Sequence, residues 1–264
     1  MLRAMYTSAT GMKAQELLID NTANNLANVN TTAFKRSRLD FADLVYTTLR
    51  QPGSRVSTTQ VSPTGLQIGN GVRVVATNKH FAQGSIEQTG NPLDVAIEGD
   101  GFFRVTLANG EFRYTRAGNF RINDQGALVN PDGHVIQGVS IPPEIDVRQI
   151  TIGTDGTVEG GQSGSSGTLA NLGQIEIFTF LNPAGLSSEG SNLYAETLAS
   201  GTAQSGTGGA PGFGLLRQNS VENSNVEVVT ELISLISAQR AYEINSRAIR
   251  AGDEMLSTSV DVLR

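Results

Sequence analysis

Large apolar side chains recur every seven residues at the amino end of the chain. They are Met5, Met12, Ile19 and Leu26. Because a helix turns by about 100° per residue, these positions form one stripe along a single helix face. The spacing predicts an amino-terminal helix that is apolar on one side.

A second stripe on the same segment consists of amides. Asn21, Asn24, Asn25 and Asn28 fall at helical spacing, roughly opposite the apolar stripe. A solvated face is one interpretation, but such faces favour Lys, Glu and Arg, and the chain has none of these between Asp20 and Lys35. Buried Asn also fixes register in coiled coils. The stripe therefore indicates a helix contacted on two sides.

The carboxyl end shows the same seven-residue spacing over a longer stretch. The repeat runs through Val228, Leu235, Tyr242, Ile249, Leu256 and Leu263. The positions four residues further on begin with Leu232 and are then mostly polar. Ser224–Glu227 has the pattern of a helix start. We expect a helix that runs almost to Arg264, about 57 Å at 1.5 Å per residue.

The beginning of this second helix is apolar around most of its circumference. Seven of the eleven residues from Val226 to Ile236 are apolar. A helix of that kind is buried on more than one side, and each large side chain left exposed forfeits roughly 1.5–3 kcal/mol. One partner helix in the same chain cannot cover this surface, so the pattern predicts contacts with neighbouring copies of the chain.

Between the helices the hydrophobic pattern changes to period two. Turn residues separate the short strands at Asn109–Gly110, Asp124–Gly126, Asn130–Gly133 and Asp155–Gly156. Short strands at regular spacing predict a mainly antiparallel sandwich or partly open barrel. Two segments rich in Gly, Ser and Thr, Gly160–Gly167 and Ser200–Gly214, are predicted to be flexible surface loops.

The segment Tyr46–Thr64 is polar and β-favouring and shows no clear period. It could be a disordered linker, which its composition favours, or an extended arm ordered by a neighbouring chain. The whole pattern indicates an α+β fold with its long terminal helices paired as a coiled coil, a central β domain and an extended β-like arm. We divide the chain into residues 1–34, 35–70 with the arm at about 46–64, 71–220 and 221–264.

Composition narrows the classes of partner. The formal net charge is −6 and the pI about 5.0, which argues against nucleic acid or an anionic membrane as a partner. No stretch comes near the roughly 18 consecutive apolar residues of a membrane helix, so we expect no direct membrane span. The amino terminus lacks the apolar run of a secretory signal, so we expect export without a cleavable signal peptide.

No residue pattern in the chain indicates catalytic chemistry. His80 and His134 are the only histidines, neither at metal-ligand spacing, and the chain has no cysteine. The nucleophile elbow, the P-loop, the dinucleotide fingerprint and the zinc-protease motif are all missing. We therefore expect a protein that is not an enzyme and that uses no cofactor and no metal.

Four segments of the chain carry distinctive motifs: NNLANVNTTAFKR (24–36), NPLDVAIEGDGFFRV (91–105), YTRAGNFRINDQGALVNPDGHVIQG (114–138) and SNVEVVTELISLISAQRAYEINSRAI (224–249). Together they resemble the bacterial flagellar rod and hook proteins. The resemblance spans nearly the whole chain. Within the family, residues 46–72 resemble the members that form the distal rod, whereas the hook protein is typically longer in the middle and lacks this arm.

The resemblance implies a structural subunit that self-assembles into a rigid hollow tube. The terminal helices of many copies would form the inner wall and the β domain an outer layer. The tube would carry motor torque and serve as an export channel within the periplasm. The implied partners are other copies of the chain, proximal rod proteins, the hook protein, the surrounding outer-membrane and peptidoglycan ring proteins, and the flagellar type III export apparatus.

Two groups of residues are the candidate sites on this interpretation. The assembly interface would consist of Met5, Met12, Ile19, Asn21, Asn24, Asn25, Leu26, Asn28, Val228, Leu232, Leu235, Tyr242, Ile249 and Leu256. The arm would be carried by Tyr46, Arg50, Gln51, Pro52, Gly53 and Pro63. A hook or proximal-rod subunit is an alternative within the family. A secreted glycan-binding module is an alternative outside it, which the absence of Trp disfavours.

Overall fold

The computed structural model describes residues 2–53, 63–162 and 169–262 of the chain. It confirms an α+β fold, with a long helix at each end of the chain and antiparallel strands between them. The chain divides into two compact units. Unit 1 consists of Met1–Ala27, Ser37–Asn78 and Glu227–Arg264, and unit 2 consists of Asn28–Arg36 and Lys79–Val226.

Unit 1 contains both helices predicted from the seven-residue repeats. Helix α1 spans Leu2–Ala27 and helix α2 spans Val228–Val262. The strands of this unit are β1 (Ser37–Asp43), β2 (Thr47–Arg50), β3 (Leu66–Ile68) and β4 (Val72–Lys79). Strand β1 pairs with β4, and β2 forms an antiparallel hairpin with β3. Over the residues described, neither helix combines the length and apolar character that crossing a membrane requires.

One tight contact fixes the start of β4 against α1. Gly71 precedes this strand with a φ of +112°, and a Cβ added there would lie 2.2 Å from Oγ1 of Thr10. The same hydroxyl accepts a hydrogen bond from the N–H of Val72 at 3.4 Å. A side chain at position 71 would therefore strain the backbone and force the strand away from the helix.

Unit 2 is built from short strands. They are β5 (Ile86–Gln88), β6 (Val95–Glu98), β7 (Phe103–Thr106), β8 (Phe112–Thr115), β9 (Arg121–Ile122), β10 (Ala127–Val129), β11 (Val135–Ser140), β12 (Ile145–Ile152), β13 (Thr157–Gln162), β14 (Leu169–Gln174), β15 (Ile177–Thr179), β16 (Ser187–Gly190), β17 (Leu193–Ala195), β18 (Gln204–Gly206), β19 (Leu215–Gln218) and β20 (Ser220–Glu222).

One large sheet dominates unit 2. Its strand order is β12-β13-β14-β11-β7-β8-β17-β16, with β10 added on β11 and β9 on β10. Three antiparallel pairs accompany it: β15 with β18, β19 with β6, and β20 with β5. The last two pairs join the end of unit 2 in sequence to its beginning.

The interior of unit 2 is a closed apolar core. Its fully buried members, all 0% exposed, are Val95, Ile97, Phe103, Val105, Val158, Ile175 and Ile177. A second cluster is aromatic, with ring centroids of Phe81, Phe102, Tyr114, Phe178, Phe180 and Tyr194 between 4.8 and 6.0 Å apart. Burial of this much apolar surface is the main stabilising contribution to this unit.

The turn predictions for the central region are confirmed. Turns connect β7 to β8, β9 to β10, β10 to β11 and β12 to β13, at the places where the sequence has its Asx-Gly signals. Gly110, Gly126, Gly133 and Gly156 close them with φ between +77° and +93°. Glycine is required at these positions because other residues rarely adopt a positive φ.

Both predictions of a flexible loop were wrong in part. In Gly160–Gly167, the first residues, Gly160–Gln162, are the end of β13 and pair with β14. Residues 163–168 lie outside the described part of the chain. In Ser200–Gly214, Gln204–Gly206 forms β18 on β15. These strands could not be predicted from composition, because their structure depends on pairing with a partner strand rather than on their own propensity.

Candidate assembly surface and buried charge network

Helices α1 and α2 pack against each other through small and polar residues. The line of α2 that is buried or half-buried runs through Glu231, Ala238, Asn245 and Gly252. A Cβ added at Gly11 would lie 3.0 Å from Nδ2 of Asn245, and one added at Gly252 would lie 3.1 Å from Cγ of Met5. These glycines let the two backbones approach closely. A coiled-coil geometry for the pair remains a prediction.

The predicted apolar interface positions on the helices are half-buried or exposed in the single chain. On α1, Met5, Met12, Ile19 and Leu26 are half-buried. On α2, Leu235, Ile249 and Leu256 are half-buried, whereas Val228, Leu232 and Tyr242 are 39%, 41% and 41% exposed. A role for these residues between copies stays a prediction, because a single chain holds no such contact.

A more exposed apolar surface lies on another side of α2. It consists of Val229, Ile233, Ile236, Ile244 and Met255, which are between 48% and 65% exposed. At 100° per residue these positions fall within about 100° of the circumference, roughly opposite the line that packs on α1. We call these five residues the apolar face of α2. The candidate residues chosen from the sequence follow the seven-residue repeat and omit these five, although three of them lie in the apolar stretch Val226–Ile236.

Two members of the asparagine stripe bind the main chain of Ser37. Asn25 is 1% exposed, and its Oδ1 accepts a hydrogen bond from the N–H of Ser37 while its Nδ2 donates to the Ser37 carbonyl, both at 2.9 Å. The same Nδ2 lies 3.3 Å from Oε2 of Glu231 on α2. Asn21 donates to the Ser37 carbonyl at 2.8 Å. The amides thus hold the start of β1.

Asn25 therefore does not have the outward orientation expected from the sequence. An amide offers one donor and one acceptor, which match the two main-chain groups of Ser37. Asn28 is half-buried and accepts a hydrogen bond from the hydroxyl of Thr31 at 3.1 Å, just after α1 ends. Asn24 is the exposed member of the stripe. A contact between copies at Asn24 stays a prediction.

Strand β2 lies at the start of the predicted arm and β3 follows directly after its end, and the two strands pair as a hairpin. Thr47 lies opposite Ile68 and Arg50 opposite Leu66. The candidate arm residues Tyr46, Arg50, Gln51, Pro52, Gly53 and Pro63 are all exposed. Leu49 and Leu66 are also exposed, at 56% and 52%. Residues 54–62, the middle of the arm, lie outside the described part of the chain.

Three charged side chains that lie together in unit 2 are almost completely buried. Lys35, Glu222 and Arg116 are 0%, 1% and 3% exposed. Nζ of Lys35 lies 2.5 Å from Oε1 of Glu222, and Nε of Arg116 lies 2.8 Å from Oε2 of the same carboxylate. One anion therefore bridges two cations. We call these three residues the buried charge network.

Main-chain groups satisfy the remaining polar atoms of the network. Lys35 donates to the carbonyl of Ala82 at 2.8 Å. Arg116 donates to the carbonyls of Gly101 and Gly99 at 2.9 and 2.8 Å. Glu222 accepts a further bond from the N–H of Gly84 at 2.8 Å. Buried charges persist only with such complete pairing.

The network shifts the protonation equilibria of its members. Burial lowers the pKa of Lys35, and the charge of Arg116 lowers it further, against the opposing effect of Glu222. Burial raises the pKa of Glu222, but Arg116, Lys35 and the hydrogen bonds lower it by more, so this pKa lies below its ordinary value. Burial also raises the pKa of the nearby Tyr194 to about 12. The aromatic cluster therefore stays neutral at physiological pH.

The side chain of Asn225, close to Glu222 in the chain, binds the segments next to Lys35 and around Ala82. Oδ1 of Asn225 accepts a hydrogen bond from the N–H of Arg36 at 2.8 Å. Its Nδ2 donates to the carbonyls of His80 and Ala82 at 2.7 and 2.9 Å. The N–H of Ala33 donates to the carbonyl of Glu222 at 2.8 Å. Polar contacts of this kind bind the first residues of unit 2 to its last.

Sequence reasoning did not predict the buried charge network. Its members are separated by 81 and 106 positions along the chain, and nothing in their local patterns marks a Lys, Arg or Glu as buried. In the described part of the chain, no group of three or more His, Asp or Glu residues is arranged to hold a metal ion. The polar interior of unit 2 is therefore an ion network with main-chain partners.

Family models match three parts of the chain. The model described as "Flagella basal body rod protein" matches residues 5–35. "Flagellar hook protein FlgE/F/G D1 domain" matches residues 96–160, and "Flagellar basal body rod FlgEFG protein C-terminal" matches residues 217–262. Each member of the buried charge network lies in a different matched region.

Similar proteins cover the chain from end to end. The flagellar basal-body rod protein FlgG of Borreliella burgdorferi is 44% identical over 265 residues, which is 100% of each chain. The protein of that name from Caulobacter vibrioides is 44% identical over 98% of each chain, and the one from Bacillus subtilis is 40% identical over 100% of each. The chain therefore belongs to the flagellar basal-body rod and hook family, which is structural rather than enzymatic.

Proposed function

We propose that this chain is a subunit of the flagellar distal rod. Many copies polymerise into a rigid hollow tube, which transmits motor torque to the hook and filament and serves as an export channel. The family membership and the full-length similarity to basal-body rod proteins support this function. The neighbours of the tube are proximal rod proteins, the hook protein and the surrounding ring proteins. Subunits reach their periplasmic position through the type III export apparatus.

The apolar face of α2 is the observation that carries this proposal. Its five side chains are about half exposed or more in the single chain. Each would contribute roughly 1.5–3 kcal/mol if buried in full. Val229, Ile233 and Ile236 lie within two turns of each other and form an exposed apolar patch at the start of α2, the kind of surface that marks an interaction site. We expect neighbouring copies to bury this surface, together with Leu235, Ile249 and Leu256, the half-buried positions of the seven-residue repeat.

Substitution within the apolar face tests the assembly. Ile233→Asp places a charge where we expect neighbours to bury apolar surface, and Ile233 is 60% exposed in the single chain. We expect the variant to fold with an unchanged thermal transition and to form no tubes in electron micrographs. Ser257→Asp, at an exposed polar position of the same helix, is the matched control and should polymerise. Tubes from the Ile233→Asp variant would contradict the proposal.

We expect the arm, together with the β2–β3 hairpin, to stiffen the tube. We expect it to contact adjacent copies through exposed side chains such as Leu49 and Leu66, and so to fix the angle between subunits. Because Thr47 faces Ile68 across the hairpin, residues 48–67 can be replaced by an Asn-Gly turn without displacing either end. The shortened chain should still polymerise, but into curved or flexible structures. Straight rods from this variant would show that the arm is a passive connection and would contradict this function.

A further inference from the structure

The charges of the buried network do not balance. Two cations, Lys35 and Arg116, share the single carboxylate of Glu222. Their other hydrogen-bond acceptors, on Ala82, Ile97, Gly99 and Gly101, are neutral carbonyls. Within the described residues, the ion pairs of both cations are made with Glu222. Its absence would leave two uncompensated positive charges in the interior.

Glu222 is also the last part of the network along the chain. It lies on β20, the final strand of unit 2, which pairs with β5 near the beginning of the unit. The strand before it, β19, pairs with β6. In the sheet topology of the described residues, β5 and β6 have no other partner strands. The carboxylate that neutralises the interior, Glu222, and the strands that pair with β5 and β6 therefore all belong to the last stretch of unit 2 along the chain.

We propose that Glu222 is a closing residue: the unpaired charges of Lys35 and Arg116 prevent unit 2 from completing its fold until the carboxyl-terminal strand docks and supplies this carboxylate. A form of the unit that lacks β20 would have to bury Lys35 and Arg116 unpaired. The cost of two such charges is comparable with the whole stability of a domain. The unit therefore remains open, and folding is all-or-none.

The position of Glu222 late in the chain determines when unit 2 can fold during synthesis. Chains are synthesised from the amino end, and domains tend to fold as soon as they can. All strands of the large sheet of unit 2 have been synthesised at Ala195, the end of β17, well before Glu222. Until Glu222 is present, the unpaired charges of Lys35 and Arg116 prevent that sheet from folding stably. This inference concerns folding alone and does not depend on assembly into a rod.

Refolding kinetics of the full chain test the proposal. Folding of unit 2 is followed by pulsed hydrogen exchange at β6 and β7 after dilution from denaturant. Because closing requires the carboxylate, Glu222→Gln should slow refolding by roughly 100-fold or more and leave the unfolding rate nearly unchanged. Glu98→Gln, which removes the same charge at an exposed site, should refold at the normal rate. Normal refolding of Glu222→Gln with faster unfolding would overturn the proposal.

A second variant keeps the test decisive if Glu222→Gln does not fold. Lys35→Met removes one of the two cations and keeps the shape of the side chain. It should refold faster than the unchanged chain, and in combination with Glu222→Gln it should restore folding because the excess charge returns to its normal value. Slower or unchanged refolding of Lys35→Met, or failure of the double variant to fold, would show that hydrogen-bond geometry rather than charge controls closing.

Discussion

The two units of this chain bury their side chains in opposite ways. Unit 2 encloses a core with many fully buried apolar residues, and the three members of its buried charge network are joined by ion pairs. Unit 1 uses small and polar residues such as Ala238 and Asn25 for its internal contacts and leaves apolar residues of α2 in solvent. The difference indicates that unit 2 is stable by itself, whereas the helices of unit 1 reach full burial only in an assembly.

The largest effect is expected from truncation in the core of unit 2. Phe103 is 0% exposed and packs on Phe120 with ring centroids 5.0 Å apart. Phe103→Ala should lower the free energy of unfolding by about 3–5 kcal/mol. Denaturant unfolding followed by near-UV circular dichroism measures this. A cost below about 1 kcal/mol would mean that unit 2 lacks the closed core assigned to it.

A smaller effect is expected at the polar contact inside unit 1. Asn25→Ala removes both hydrogen bonds to Ser37 and should cost about 1–3 kcal/mol, since the buried N–H of Ser37 loses its partner while the carbonyl keeps the donor on Asn21. Loss of protection at β1 in hydrogen exchange is the measurement. Asn24→Ala, at the exposed member of the stripe, is the control and should leave β1 unchanged. Equal effects of the two variants would remove the distinction between inner and outer amides.

Acid should weaken unit 2 through Glu222. The pKa of this carboxyl is lowered in the folded chain, so its contribution to stability is present above the ordinary value of 4.5 and is lost as the pH falls through the folded pKa. Protonation leaves Lys35 and Arg116 without their anion. Thermal transitions of unit 2 should therefore be unaffected by pH near neutrality and should fall below about pH 4.5. A transition that is independent of pH down to the folded pKa would contradict this role.

The smallest effect in the single chain is expected on the apolar face of α2. Ile244 is 65% exposed, so Ile244→Ala should change the free energy of unfolding by less than about 0.5 kcal/mol. The same substitution should raise the protein concentration at which tubes form. A large loss of monomer stability would show that this side chain belongs to an intramolecular core.

Local patterns were sufficient to predict the elements but not the contacts between distant residues. The seven-residue repeats predicted both helices, and Asn109–Gly110 predicted the β7–β8 turn, because these signals act over a few residues. Asn25 was expected to face outwards because its helical position alone does not reveal Ser37. Lys35, Arg116 and Glu222 were missed because their pairing depends on the folded sheet. The strand at Gly160–Gln162 depends in the same way on β14.

Hydrogen exchange of the free chain, compared with the polymer, tests the contrast between the units most directly. In the free chain, the amides of β6 and β7 should exchange only through global unfolding of unit 2, whereas those of α1 and α2 should exchange by local opening several orders of magnitude faster. In the polymer, the helices should become as protected as the strands. Helices that are already protected to the level of unit 2 in a proven monomer would contradict the account.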